Sequence, residues 1–104
     1  MQPLRLAFEA ARTTVALCES SQYAGWFGDQ LGWLFGPAVE QEFQESRTRL
    51  LFPDGVNRTS VEQARWWARF RDALEARPER GERLLTLVTQ ARQAMIEEYR
   101  SLPV

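Results

Sequence analysis

Apolar side chains recur every three or four residues along almost the whole chain, and no stretch of strand length alternates between apolar and polar residues. That spacing gathers apolar residues on one side of an α-helix, which has 3.6 residues per turn. Glycine and proline interrupt the pattern at residues 36–37, 53–55 and 77–78, where they favour helix ends and turns. The sequence therefore predicts an all-α fold, a compact bundle of four or five short helices in a single domain over residues 1–104.

The predicted helices cover residues 3–20, 22–35 and 37–51, a fourth that begins near residue 60, and a fifth over 79–101. The first presents an apolar stripe of Leu4, Phe8, Ala11, Val15 and Cys18. The third repeats the spacing with Val39, Phe43, Ser46 and Leu50, and the fifth with Leu84, Val88, Ala91, Met95, Tyr99 and Leu102. Such short stripes are typical of a domain core, although the same spacing would serve an oligomer seam. Because the connections are short, consecutive helices are expected to pack antiparallel.

The fourth helix begins where Thr59 or Ser60 is followed three residues later by Glu62 or Gln63, which is the pattern of a capping box. Its predicted inward residues are Ala64, Trp67, Phe70 and Leu74, with Trp66 partly off that face.

The chain lacks histidine and lysine and has one cysteine, Cys18. These absences exclude histidine-based catalytic triads and metal sites, lysine Schiff bases and an internal disulfide. The acidic residues are scattered rather than paired, so we expect neither an enzyme nor a cofactor or metal. Cys18 lies on the apolar stripe of the first helix, and we interpret it as a small buried side chain.

Net charge and targeting signals give little indication of a partner. Thirteen arginines face fourteen acidic residues, a net charge of −1, which produces no strong field for nucleic acid or membrane. Glu9 and Arg12 interrupt what would be the apolar region of a secretory signal, and the longest uncharged stretch, residues 30–39, is too short to span a bilayer. We therefore expect a cytoplasmic protein without a membrane span.

The segment between Ser20 and Gly36 is rich in glycine and aromatic residues, which are interspersed along it. On a helix the glycines share one arc, and Trp26 and Trp33 flank it. Interior glycines cost helix stability unless something packs closely against them, either a helix of the same chain or a partner. The leading hypothesis is a non-catalytic interaction module that contacts another protein or itself through Trp26, Gly28, Gly32 and Trp33.

Arginines concentrate between residues 58 and 83. Arg65 and Arg69 lie one helical turn apart, a spacing that can follow a phosphate backbone, and Arg58 precedes them. The alternative hypothesis is therefore a small helical subunit that contacts nucleic acid through Arg58, Arg65 and Arg69 within a larger complex. The simpler interpretation pairs these arginines with acidic neighbours on the same helix, Glu62 with Arg65 and Arg69 with Asp72.

Overall fold

The computed structural model describes residues 2–52 and 58–101. Within these ranges the chain forms five α-helices, one turn of 3-10 helix at Pro78–Arg80 and no strand. The helices are α1 (Pro3–Cys18), α2 (Ala24–Phe35), α3 (Pro37–Leu51), α4 (Thr59–Ala76) and α5 (Gly81–Arg100). The all-α prediction is confirmed, and α1, α2 and α3 lie within two residues of their predicted bounds. The predicted turn at residues 53–55 lies outside the described residues.

Helix α1 lies at the centre of the bundle and packs most extensively on α4, then on α5 and α3. Its buried residues cover roughly 200° of the helix circumference at about 100° per residue, and they are Leu6, Ala7, Ala10, Ala11, Thr13, Thr14, Val15, Leu17 and Cys18. Most of these side chains are small, which lets several helices approach one backbone. The expectation that consecutive helices pack antiparallel is confirmed for α2 and α3. It is wrong for the other consecutive helices, which pack little on each other, and the main neighbours of α1 are distant in sequence.

The predicted apolar stripe of α1 is only partly buried. Ala11, Val15 and Cys18 belong to the core, whereas Leu4 and Phe8 are 59% and 50% exposed. The stripe leaves the core at its N-terminal end because Leu6, Ala7 and Ala10, on the other side of the helix, face the neighbouring helices.

The inward face of α4 differs from its prediction. Trp66 is buried and 2% exposed, while Trp67 is half-buried and Ala64 is exposed. The buried positions are Glu62, Trp66, Phe70 and Leu74, one turn apart. The prediction is confirmed for Phe70 and Leu74 and wrong for Ala64 and Trp67, because the buried stripe begins at a charged residue, Glu62. Glu62 is therefore no part of a capping box, and Arg58 occupies the N-cap position.

Helices α2 and α3 form a hairpin joined by Gly36, whose φ of +101° is open to glycine and strained for other residues. The glycine arc of α2 faces α3. A β-carbon placed on Gly28 would lie 3.1 Å from the Phe43 ring, and one placed on Gly32 would meet the Glu40 carboxylate. The glycines thus allow two helices of the same chain to approach closely.

Two polar contacts fasten the turn between α1 and α2. The Ser20 hydroxyl accepts a hydrogen bond from the Tyr23 backbone N–H (3.0 Å) and donates one to Glu98 on α5 (2.8 Å).

Helix α5 begins at Gly81, after the 3-10 turn, rather than at the predicted residue 79. Of its predicted stripe, Leu84, Val88 and Ala91 are buried, Met95 is half-buried, Tyr99 is 78% exposed, and Leu102 lies outside the described residues.

Leucine substitutions at two glycines of α2 test the close approach of α3. Gly28→Leu forces a side chain into the Phe43 ring, which is fully buried and has no room to move. We expect it to lower the free energy of unfolding by about 1–3 kcal/mol or more. Gly25→Leu is the matched control, because no described atom beyond its own helix lies within 4 Å of the added β-carbon. It should be neutral or stabilise by up to about 1 kcal/mol. Urea denaturation measures both, and equal effects would contradict the glycine packing.

Candidate functional site

The four residues predicted to form an interface lie on different sides of α2. Gly28 is buried against Phe43 and Gln44 of α3, and Gly32 faces Glu40. The close approach expected at these glycines is therefore made inside the chain, by α3. Trp26 is half-buried, with its ring 6.2 Å from that of Phe27 in the core.

Trp33 projects away from the core and is 87% exposed. Its position on α2 explains this, because Phe27, Leu31 and Ala24 occupy the opposite side of the helix and are buried. Large aromatic side chains bury the most apolar area of any residue, so leaving one in water gives up much of the free energy that burial would contribute.

Trp33 lies at the rim of a groove between α2 and α5 with a volume of about 590 Å³. The lining residues are Gln30, Trp33, Leu34, Glu82, Arg83, Thr86, Leu87 and Gln90. We call this the α2/α5 groove. Leu34 and Leu87 give it an apolar floor, since Leu34 is half-buried and Leu87 is buried.

The polar lining of the α2/α5 groove carries no net charge. Glu82 and Arg83 cancel, and the side chains of Gln30, Gln90 and Thr86 are neutral. Glutamine amides both donate and accept hydrogen bonds, as peptide groups do. The arrangement is suited to an uncharged ligand with apolar side chains and peptide-like polar groups.

One of the three arginines proposed for nucleic-acid contact, Arg69, is paired with a carboxylate of another helix. Arg69 forms an ion pair with Glu42 of α3, with Nε and Oε2 3.0 Å apart, instead of the predicted pair with Asp72. Asp72 pairs with its neighbour Arg71 at 3.2 Å, and Glu62 pairs with Arg49 rather than Arg65. Sequence spacing shows only partners on the same helix, which is why the pairs between helices were missed.

A second groove, of about 410 Å³, runs between α3 and α4. Its charged lining consists of Arg49, Arg65, Arg69, Glu42, Glu45 and Asp72, so that carboxylates and guanidiniums balance. Arg65 is exposed at this groove, and Arg58 is half-buried near the start of α4. A balanced groove has little of the positive potential on which phosphate binding depends, so this geometry does not favour a nucleic-acid contact.

A buried polar network joins α3 to α4 beneath the second groove. Trp66 Nε1 donates to Ser46 Oγ (2.9 Å), and Ser46 Oγ donates to Glu62 Oε2 (2.8 Å). Arg49 binds both carboxylate oxygens of Glu62, with Nη2 3.1 Å from Oε2 and Nε bonded to Oε1. The sequence signal for this network was Ser46, a polar residue on the predicted apolar stripe of α3.

The network sets the protonation state of Glu62, which is 1% exposed. Burial by itself would raise the pKa of its carboxyl, but the hydrogen bonds from Arg49 and Ser46 outweigh burial, and the pKa is lowered. Glu62 is therefore ionised, and its carboxylate holds the network together by accepting hydrogen bonds from Ser46 and Arg49.

Cys18 is buried and unsuited to nucleophilic chemistry. Burial, with the nearby Glu62 carboxylate, raises the pKa of its thiol to about 12. Its backbone carbonyl accepts a hydrogen bond from Arg47 Nε (3.1 Å), which ties the end of α1 to α3. The interpretation of Cys18 as a small buried side chain is confirmed.

In the part of the chain that the structure describes, no three acidic or cysteine side chains are grouped so that they could hold a metal ion. No helix there has the length and apolar character needed to cross a bilayer. The sequence matches no protein-family model, and comparisons with curated proteins and with solved structures give no match.

Replacement of Glu62 tests the buried network. Glu62→Gln removes the charge that Arg49 binds, and we expect it to lower the free energy of unfolding by roughly 1–3 kcal/mol at neutral pH. Glu75→Gln, an exposed glutamate on the same helix, should change stability by less than about 0.5 kcal/mol.

The same residue predicts a pH dependence. The pKa of Glu62 in the folded chain lies below its ordinary value of 4.5. The ionised carboxylate therefore contributes to the free energy of unfolding above about pH 4.5, and this contribution is lost as the pH falls through the folded-state pKa. Urea denaturation at neutral and acidic pH should show a smaller loss of stability in acid for Glu62→Gln than for the unaltered chain. Identical pH profiles for the two proteins would contradict this role.

Thiol labelling measures the environment of Cys18. With its pKa raised to about 12, the folded chain should react with a maleimide or disulfide reagent near pH 8 at least about a hundredfold more slowly than the urea-unfolded chain. Similar rates in the two states would show that the thiol is accessible.

Proposed function

We propose that this chain is a non-catalytic helical interaction module that binds an uncharged, apolar-rich peptide segment of another protein in the α2/α5 groove. The observation that carries the proposal is Trp33, an indole 87% exposed at the rim of a groove of about 590 Å³. Tryptophan is enriched among the residues that dominate binding energy at protein interfaces. An exposed tryptophan beside an apolar floor is the arrangement that a bound peptide would cover.

The chemistry of the groove supports a peptide over other ligands. Leu34 and Leu87 would contact apolar side chains of the partner, and the amides of Gln30 and Gln90 would bind its main-chain N–H and C=O groups. Glu82 and Arg83 offset each other, so a strongly charged partner gains no net attraction. Of the four predicted interface residues only Trp33 lines this groove, and Trp26, Gly28 and Gly32 do not. The rest of the lining comes from other residues of α2 and from α5.

Trp33→Ala separates the folding role of the indole from its binding role. Because the side chain is mostly in water, the substitution should leave the free energy of unfolding within about 0.5 kcal/mol of the original. Tyr99→Ala is the matched control, an aromatic residue 78% exposed on α5 that does not line the groove. A loss of about 3 kcal/mol or more on Trp33→Ala would identify the indole as core.

Site-specific cross-linking tests whether the α2/α5 groove binds a segment of another protein. A photoreactive amino acid replaces either Thr86, which lines the groove, or Thr89, an exposed threonine on α5 outside it. We expect a nuclease-resistant adduct that joins position 86 to a second, different polypeptide. It should be weak or missing at position 89, be lost with Trp33→Ala and persist with Tyr99→Ala. A nuclease-sensitive adduct, an adduct with a second copy of the chain, or equal adducts at both positions would contradict the proposal.

A further inference from the structure

The exposed side of α1 carries a line of five residues, Arg5, Phe8, Arg12, Ala16 and Glu19. Arg5 to Ala16 lie within the helix, and Glu19 is its C-cap residue. At about 100° per residue the five fall within roughly 80° of one another, opposite the buried arc of the helix. All five are exposed. We call this line the α1 stripe.

The spacing of the α1 stripe is symmetric about Arg12, with intervals of three, four, four and three residues. An antiparallel copy of the same helix, related by a two-fold axis through Arg12, would place Arg5 opposite Glu19 and Phe8 opposite Ala16. We propose that the α1 stripe is a homodimer seam, in which two copies of the chain pack α1 antiparallel against α1.

Charge complementarity supports this occupant and this direction. Among residues 2–52 and 58–101, neither Arg5 nor Glu19 takes part in an ion pair within the chain. The antiparallel dimer gives each of them an opposite charge, twice over because of the symmetry. A parallel arrangement would place Arg5 against Arg5 and Glu19 against Glu19, which is repulsive.

Shape complementarity points the same way. Phe8 is 50% exposed, whereas Ala16 lines a depression of about 400 Å³. The other residues that line the depression include the apolar Val15 and Met95 and the charged Arg12, Glu19 and Arg92. In the antiparallel dimer the phenyl ring of each copy enters the depression at Ala16 of the other, as a knob enters a hole.

The two copies of Arg12 meet at the axis without a close approach of their charges. The Arg12 guanidinium lies over the ring of Phe8 in its own chain, 5.9 Å from the centroid, and so extends toward the N-terminus of α1. In antiparallel helices these directions are opposite. With a rise of 1.5 Å per residue, the guanidiniums lie about 12 Å apart along the axis, beyond a Debye length at physiological ionic strength.

This dimer is separate from the proposed peptide site. The α2/α5 groove shares no lining residue with the α1 stripe or with the depression at Ala16. The test of one surface therefore does not depend on the outcome at the other.

Sedimentation velocity over a concentration series tests the seam. The unaltered chain should shift from monomer toward dimer as concentration rises. Arg5→Glu and Glu19→Arg should each weaken dimerisation by about tenfold or more, because each reversal acts at two symmetric positions. Arg100→Glu, an exposed charge reversal on α5 that lines neither the α2/α5 groove nor the depression at Ala16, is the control and should dimerise as the original does.

Mixing the two reversed chains gives the decisive result. A heterodimer of Arg5→Glu with Glu19→Arg again sets opposite charges against each other, so the equimolar mixture should recover dimerisation to within about threefold of the original. Ala16→Arg, whose long side chain would fill the depression at residue 16, should prevent dimerisation. A chain that stays monomeric up to about 1 mM, single reversals without effect, or two folded variants that fail to associate when mixed would each overturn the proposal. A dimer lost on Trp33→Ala but not on the α1 reversals would overturn it too.

Discussion

The rest of the structure depends on how closely other helices can approach α1. Six of its nine buried residues are alanine, threonine or cysteine, so their side chains occupy little of the space between backbones. Three neighbours, α4, α5 and α3, therefore share one 16-residue helix as their packing partner. Larger side chains at these positions would move α4, α5 and α3 away from α1 and open the core.

The contact between α3 and α4 is of a different kind from the contacts of α1 with its neighbours. The α3 and α4 backbones keep apart, and large aromatic rings and the buried network fill the space, with Phe43 and Trp66 centroids 6.5 Å apart. A buried carboxylate is costly unless donors surround it, and Glu62 receives three hydrogen bonds, one from Ser46 and two from Arg49. Since those donors coincide in one alignment of the two helices, the network fixes the register of α3 on α4.

The fold could be predicted from the sequence because the periodicity of apolar residues and the positions of helix breakers are signals that lie within each helix or at its ends. The bounds of α3 follow from Gly36-Pro37 before it and from the turn-favouring residues Pro53, Asp54 and Gly55 after it in the sequence, and they match the structure. The inward face of α4 could not be obtained this way, since Glu62 counts as a surface residue until Arg49 is known to lie beside it. With that residue excluded, the apolar spacing favoured Trp67 over Trp66.

The candidate site was predictable to a smaller degree, because it depends on which helices become neighbours. Glycines at Gly28 and Gly32 require a close contact whether it is internal or external, and only the position of α3 distinguishes the two. The exposure of Trp33 follows from the side of α2 that the core occupies. The α5 half of the groove, Thr86 and Gln90, gave no signal in the sequence because solvent-exposed helix positions commonly have such residues.

The central position of α1 also determines when the chain can fold as it is made. Helix α1 leaves the ribosome before the helices that bury it, and α4 and α5 follow only after α2 and α3 have been synthesised. At roughly 5–20 residues per second, the apolar arc of α1 stays uncovered for several seconds. During that interval its alanines and threonines expose less apolar surface than leucines would, so the composition that permits tight packing also reduces the aggregation hazard of the nascent chain.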